Sequence, residues 1–145
     1  MSPDASTAGR DATAAEAWAE LQAFVAGEDR RRALRVELDL GVAKAELLIK
    51  LAEAPMTLRE IAQAGDADPS AATVAVDRLE RRGLVRRGPH PEDNRRKLVH
   101  LTDAGRRAAA TARRILTDPP PALAALNADD LTALTRIFAT LKAGL

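Results

Sequence analysis

The chain has 145 residues and no Cys, and its 22 Lys+Arg and 21 Asp+Glu leave a net charge of +1. Without Cys there is no disulfide framework, thiolate metal site or cysteine redox switch, and no apolar run approaches the roughly 20 residues that span a membrane. Hydrophobic residues make up 46%, yet 32 residues are Ala, aromatics are 2% and Tyr is absent, so a mostly helical protein with closely packed helices is expected.

Residues 1–10 are rich in Ser, Pro, Ala and Gly and read as a disordered tail. They are polar and hold no apolar secretory core, so the expectation is a soluble, cytoplasmic protein. Residues 11–145 read as a single domain. From about Thr13 a helical stretch begins, with Trp18, Leu21 and Val25 on one stripe. It is expected to run as one long helix to about Val36, bending near Gly27. A second helix covers about Val42 to Ala54, with Leu47, Leu48 and Leu51 inward, and Pro55 stops it.

Thr57 followed three residues later by Glu60 is a capping box and starts a short helix, Leu58 to Ala64. Asp68-Pro69 opens the next, about Pro69 to Arg82, with Asp68 or Ser70 near the cap and Gly83 at the end. The texture then changes. Leu84-Val85-Arg86-Arg87 and Lys97 to Leu101 are β-like runs around a segment dense in turn formers, Gly88 to Asn94, which reads as a hairpin with a polar tip. Thr102-Asp103 caps a helix to about Thr117. Pro119, Pro120 and Pro121 break it. A last helix, about Asp129 to Leu141, carries Leu131, Leu134, Phe138 and Leu141 on one stripe, with Asn127 or Asp129 as its cap.

The near-neutral total hides a segregation. Arg78 to Lys97 holds eight basic and three acidic residues, a net +5, which leaves −4 on the rest of the chain. Of the 22 basic residues 18 are Arg, the residue that forks onto phosphate. A high-GC genome would favour Arg everywhere but does not produce a local excess.

Residues 42–102 combine three helices and a hairpin. A short helix, a tight turn and a longer helix with small residues in its first turns form a helix-turn-helix arrangement, whose second helix enters the major groove. Here those residues are Ser70, Ala71, Thr73 and Val74. Hydroxyls can meet bases or phosphates, and Ala and the Thr methyl can meet thymine methyls. Capping is the alternative role for Ser70. Arg78, Arg81 and Arg82 lie further along, within reach of phosphates, and Arg86 belongs to the same basic island. The hairpin is a wing whose tip carries Arg95 and Arg96, suited to a minor groove. Asp93 would repel phosphate if free, so its carboxylate is expected to pair with an Arg and shape the tip.

Other classes fit poorly. No Ser-His-Asp spacing, paired-carboxylate cleft or Gly-rich nucleotide loop appears, which argues against an enzyme. His90 and His100 lack a third ligand at fixed spacing, and no cofactor is implied. A winged helix that binds protein instead of DNA is the alternative, but such modules tend to lose the basic residues that this chain keeps.

Four stretches resemble the MarR family of bacterial winged-helix regulators. They are Leu40-Gly41 with the helix to Ala54, Thr57-Leu58-Arg59-Glu60-Ile61-Ala62, Val76 to Val85, and Pro91 to Arg106. The last is the strongest, with Asp93-x-Arg95 in the wing followed by Leu101-Thr102-x-x-Gly105. The resemblance implies a mainly α fold with a small β-hairpin wing, a winged helix-turn-helix over 42–102, and dimerisation helices over 11–36 and 103–145. It implies Ser70, Thr73 and Arg95 as DNA-contacting and Asp93 as wing-structuring. It implies a homodimer, with Trp18, Leu21, Leu131, Leu134, Phe138 and Leu141 as the candidate interface. A double-stranded operator and a small aromatic or anionic ligand are the implied partners, without a membrane. Oxidant sensing through Cys is excluded. The triple proline matches no family motif.

Overall fold

The structure, a computed structural model, describes residues 11–145; the expected tail over residues 1–10 lies outside them. Among the described residues, eight helices and three short strands follow in the order α1 (Ala14–Gly27), α2 (Arg30–Leu38), α3 (Val42–Glu53), β1 (Met56–Thr57), α4 (Leu58–Ala64), α5 (Pro69–Arg81), β2 (Val85–Pro89), β3 (Lys97–Leu101), α6 (Asp103–Thr117), α7 (Pro121–Ala124) and α8 (Ala128–Ala143).

Side-chain caps set most helix starts. Thr13 and Thr57 form capping boxes with Glu16 and Glu60. Asp68, Thr102 and Asn127 each accept the amide three residues on. The single long N-terminal helix is not observed. The chain breaks after Gly27, and Asp29 caps a new helix by accepting the Arg32 amide at 3.0 Å. A Gly beside a competent N-cap residue makes the break cheaper than a bend.

The sheet order is β1-β3-β2, all antiparallel, with Val85 opposite Leu101 and Met56 opposite Val99. The sequence reading contained the hairpin but not β1. Two residues carry no periodicity, and their pairing with β3 is long-range.

The main core joins Leu48 and Leu51 of α3, Ile61 of α4, Val76 and Leu79 of α5, and Val85, Val99 and Leu101 of the sheet. A second cluster, Leu34, Ala45, Ala112 and Ile115, ties α2 and α3 to α6. Buried alanines on α3 and α6 let the helix axes approach closely. So α6, expected as a dimerisation helix, carries one face of the domain's own core. By contrast, α1 and α8 hold no buried residue.

The end of α5, the wing and the start of α6 meet at one junction. The Thr102 hydroxyl donates to the Gly83 carbonyl at 2.6 Å and accepts the Gly105 amide at 3.0 Å. The Thr102 amide donates to the Leu84 carbonyl at 3.1 Å. Gly83 has φ +72°, a conformation glycine adopts freely. A Cβ on Gly105 would overlap the Leu84 carbonyl, so only Gly lets α6 start this close to the strand. We therefore expect Gly105→Ala to cost about 1–3 kcal/mol, read as a lowered urea midpoint. An unchanged midpoint would contradict the close approach.

Candidate nucleic-acid interface

The turn between α4 and α5 runs through Gly65 to Asp68, and α4 and α5 meet as a helix-turn-helix. Pro69 occupies the first turn of α5 and Asp68 caps it, its carboxylate accepting the Ala71 amide at 2.8 Å. Asp68, not Ser70, is therefore the cap, and the Ser70 hydroxyl is exposed with no partner among the described residues. Ala72, Val76 and Leu79 bury the inner face of α5. Ser70, Ala71, Val74 and Arg78 are exposed on the other, with Val74 at 48%. Thr73 sits between the faces, half-buried, and its hydroxyl donates to the Pro69 carbonyl at 2.9 Å. What it retains for a ligand is acceptor capacity and a methyl group.

The wing is stapled to this helix. Arg87 of β2 forks onto Asp77 at 2.6 Å and Glu80 at 2.8 Å, both on α5. At the tip the Asp93 carboxylate accepts the Arg95 amide at 3.0 Å, and the Asp93 carbonyl accepts the Arg96 amide at 3.0 Å. The His90 amide donates to the Arg96 carbonyl at 2.9 Å. Asp93 thus shapes the tip, but through main-chain amides and not through the expected guanidinium pairing. An Asp two residues before an amide makes this turn locally, without recruiting a long side chain. The guanidinium groups of Arg86, Arg95 and Arg96 are exposed and unpaired among the described residues. His90 Nδ1 accepts the Glu92 amide at 3.1 Å. His100, opposite Arg86 across the strands, has its pKa lowered from 6.5, first by burial and then by the charges of Arg86 and Arg106. His100 therefore adds little to the wing's positive charge at neutral pH.

Arg82 departs from the sequence reading. Its guanidinium donates to the carbonyls of Leu38 at 2.5 Å and Asp39 at 2.8 Å, closing the C-terminal end of α2. It is occupied within the fold and is not held out toward phosphate. Arg30 does the same for α6, donating to the carbonyls of Ile115 and Asp118 at 2.6 and 2.9 Å. Neither clamp was legible, since each partner lies tens of residues away. The basic island therefore divides by task. Arg82 and Arg87 fix α5 against α2 and the wing, while Arg78, Arg86, Arg95, Arg96 and Lys97 face outward.

A helix-turn-helix with its outer face bare, followed by an arginine-tipped hairpin, defines a winged helix-turn-helix fold. Residues 44–97 match the model of the MarR family. Solved structures share the fold over nearly their whole length. A point mutant of MepR from S. aureus is 18% identical, with a TM-score of 0.76 over 92% of this chain and 98% of that one. YusO from Bacillus subtilis is 23% identical, with a TM-score of 0.75 over 92% of this chain and 100% of its own. A second S. aureus MepR mutant, bound to an oligodeoxyribonucleotide, is 18% identical with a TM-score of 0.69, over 92% and 99%. No curated protein matches the sequence significantly.

The Arg82 clamp carries a prediction. Lys keeps the charge but cannot fork onto two carbonyls. We expect Arg82→Lys to lose about 1 kcal/mol of stability, measured by urea unfolding. Arg82→Ala should leave the salt dependence of DNA binding unchanged. Unaltered stability together with a shallower salt dependence would make Arg82 a phosphate contact instead.

Proposed function

We propose that the protein is a DNA-binding transcriptional regulator, a repressor, acting in the cytoplasm as a homodimer on a pseudo-palindromic operator. The observation that carries the DNA-binding reading is the division of the basic island. Ser70, Ala71, Val74 and Arg78 are free on the outer face of α5, and Arg95 and Arg96 are free at the wing tip. The Arg87 staple to Asp77 and Glu80 holds these two surfaces in fixed relation. In the proposed complex α5 lies in the major groove, about 12 Å wide. Ser70, Ala71, Thr73 and Val74 meet base edges, and Arg78 and Arg86 meet phosphates. Arg95 enters the adjacent minor groove, and Arg96 holds its wall. The MepR mutant structure with bound oligodeoxyribonucleotide supports the use of this fold on DNA.

The homodimer rests on where the aromatics lie. The chain has one Trp, two Phe and no Tyr, and none of the three is in the core. Trp18 is 60% exposed and Phe24 42% on α1, and Phe138 is 38% exposed on α8. Val25, Leu131, Ile137 and Leu141 are exposed on the same two helices, while Leu21 and Leu134 are half-buried there. Two helices that carry apolar side chains and bury none of them need a partner, and a second copy supplies a matching pair under two-fold symmetry. Such a dimer sets two reading helices about 34 Å apart, one turn of the duplex.

A small aromatic or anionic ligand that releases DNA completes the proposal. A cleft of about 450 Å³ between α3 and the helix-turn-helix offers room for it, lined by Leu47, Ile61, Ala72 and Ala75 and by two charges of each sign, Lys44 and Lys50 with Glu46 and Asp66. That volume is within the range of small-molecule sites.

Two variants test the reading. Arg95→Ala is expected to weaken binding and to lower the salt slope by about one unit per protomer. Binding equal to wild type would remove the wing from the interface. Phe138→Asp is expected to yield a folded monomer by light scattering, with most operator affinity lost. A variant that stays dimeric would exclude that face as the interface.

A further inference from the structure

The reading helix and wing hold only part of the outward-facing charge. A shallow groove begins on the reading face of α5, between Ser70, Val74 and Arg78, and is bordered there by Lys44 of α3. It continues past Asp39, Leu40 and Gly41, still bordered by Lys44 and Arg78, and gains Arg81. It then reaches Arg31 and Arg35 of α2, again across Asp39, Leu40 and Gly41. Each stretch shares lining residues with the next, so the three form one path from the reading helix to α2.

The path is cationic. Arg31, Arg35, Lys44 and Arg78 have no side-chain partner among the described residues. Two carboxylates line it. That of Asp68 accepts the Ala71 amide, and that of Asp39 stands in the middle of the path. The backbone there is fixed, because Arg82 holds the Leu38 and Asp39 carbonyls. The free cations therefore stand on a rigid floor.

We infer that this groove is a second phosphate track. When α5 occupies the major groove, the sugar-phosphate backbone forms the groove wall beside it. A path that opens on Ser70, Val74 and Arg78 starts at that wall. The strand then runs along Lys44 toward Arg35 and Arg31, which contact phosphates and carry no sequence information. The inference rests on the DNA-binding reading above, and it adds α2 and α3 to the interface. Arg31 and Arg35 lie far in sequence from the 78–97 island, and only the fold brings them alongside it.

The test uses the full-length protein and two duplexes of one length, the DNA upstream of its gene and a scrambled sequence. Affinity is measured across a salt series for wild type, Lys44→Gln, Arg35→Gln and Arg95→Ala, with circular dichroism and urea midpoints as controls of folding. Each neutralised phosphate contact lowers the slope of log affinity against log salt by about one unit per protomer. Lys44→Gln and Arg35→Gln should each do so, with equal losses on both duplexes. Wild-type slopes in both variants, with Arg95→Ala reduced, would overturn the track and leave the DNA-binding reading standing. Absence of salt-dependent binding by the wild type would overturn both.

Discussion

One threonine hydroxyl joins the parts that must stay in register. Thr102 binds Gly83 at the end of α5 and Gly105 at the start of α6, while its amide binds Leu84 at the root of the wing. The reading helix, the hairpin and the helix that closes the core therefore leave a common point. Gly105 permits that closeness because any side chain there would meet the Leu84 carbonyl. The proposed fit to a groove about 12 Å wide tolerates little play between these elements. The junction, together with the Arg87 staple and the Arg82 clamp, removes it.

Composition and architecture agree on how the domain is filled. Alanine at the α3–α6 contact replaces the bulk that aromatics usually provide, and Leu, Val and Ile fill the remaining core. The three aromatics are kept for α1 and α8. Large flat side chains dominate the energetics of interfaces, so their absence from the core and exposure on α1 and α8 fit the proposed dimer.

Much of the fold was legible in the sequence because its signals are local. Thr57 with Glu60, Asp68 with Pro69, Thr102 and Asn127 mark helix starts through contacts three residues long, and β3 keeps the expected span of Lys97 to Leu101. Those signals fail where a partner is distant. The strand β1 exists only through its pairing with β3, and the break before Asp29 became visible only with α2 in place. The candidate site divides in the same way. Ser70, Val74, Arg78 and Arg95 face outward as their helix and hairpin positions imply. Arg82 and Arg87 look the same in sequence, yet are held by carbonyls and carboxylates that the tertiary fold supplies.

The central claim is that this surface reads DNA by sequence. Its most direct test is a titration of the purified protein against the duplex upstream of its own gene, beside a scrambled duplex, at two salt concentrations. The account predicts tight binding that weakens steeply with salt and prefers the native duplex. Equal, weak binding to both would contradict it and favour a winged helix that engages a protein partner.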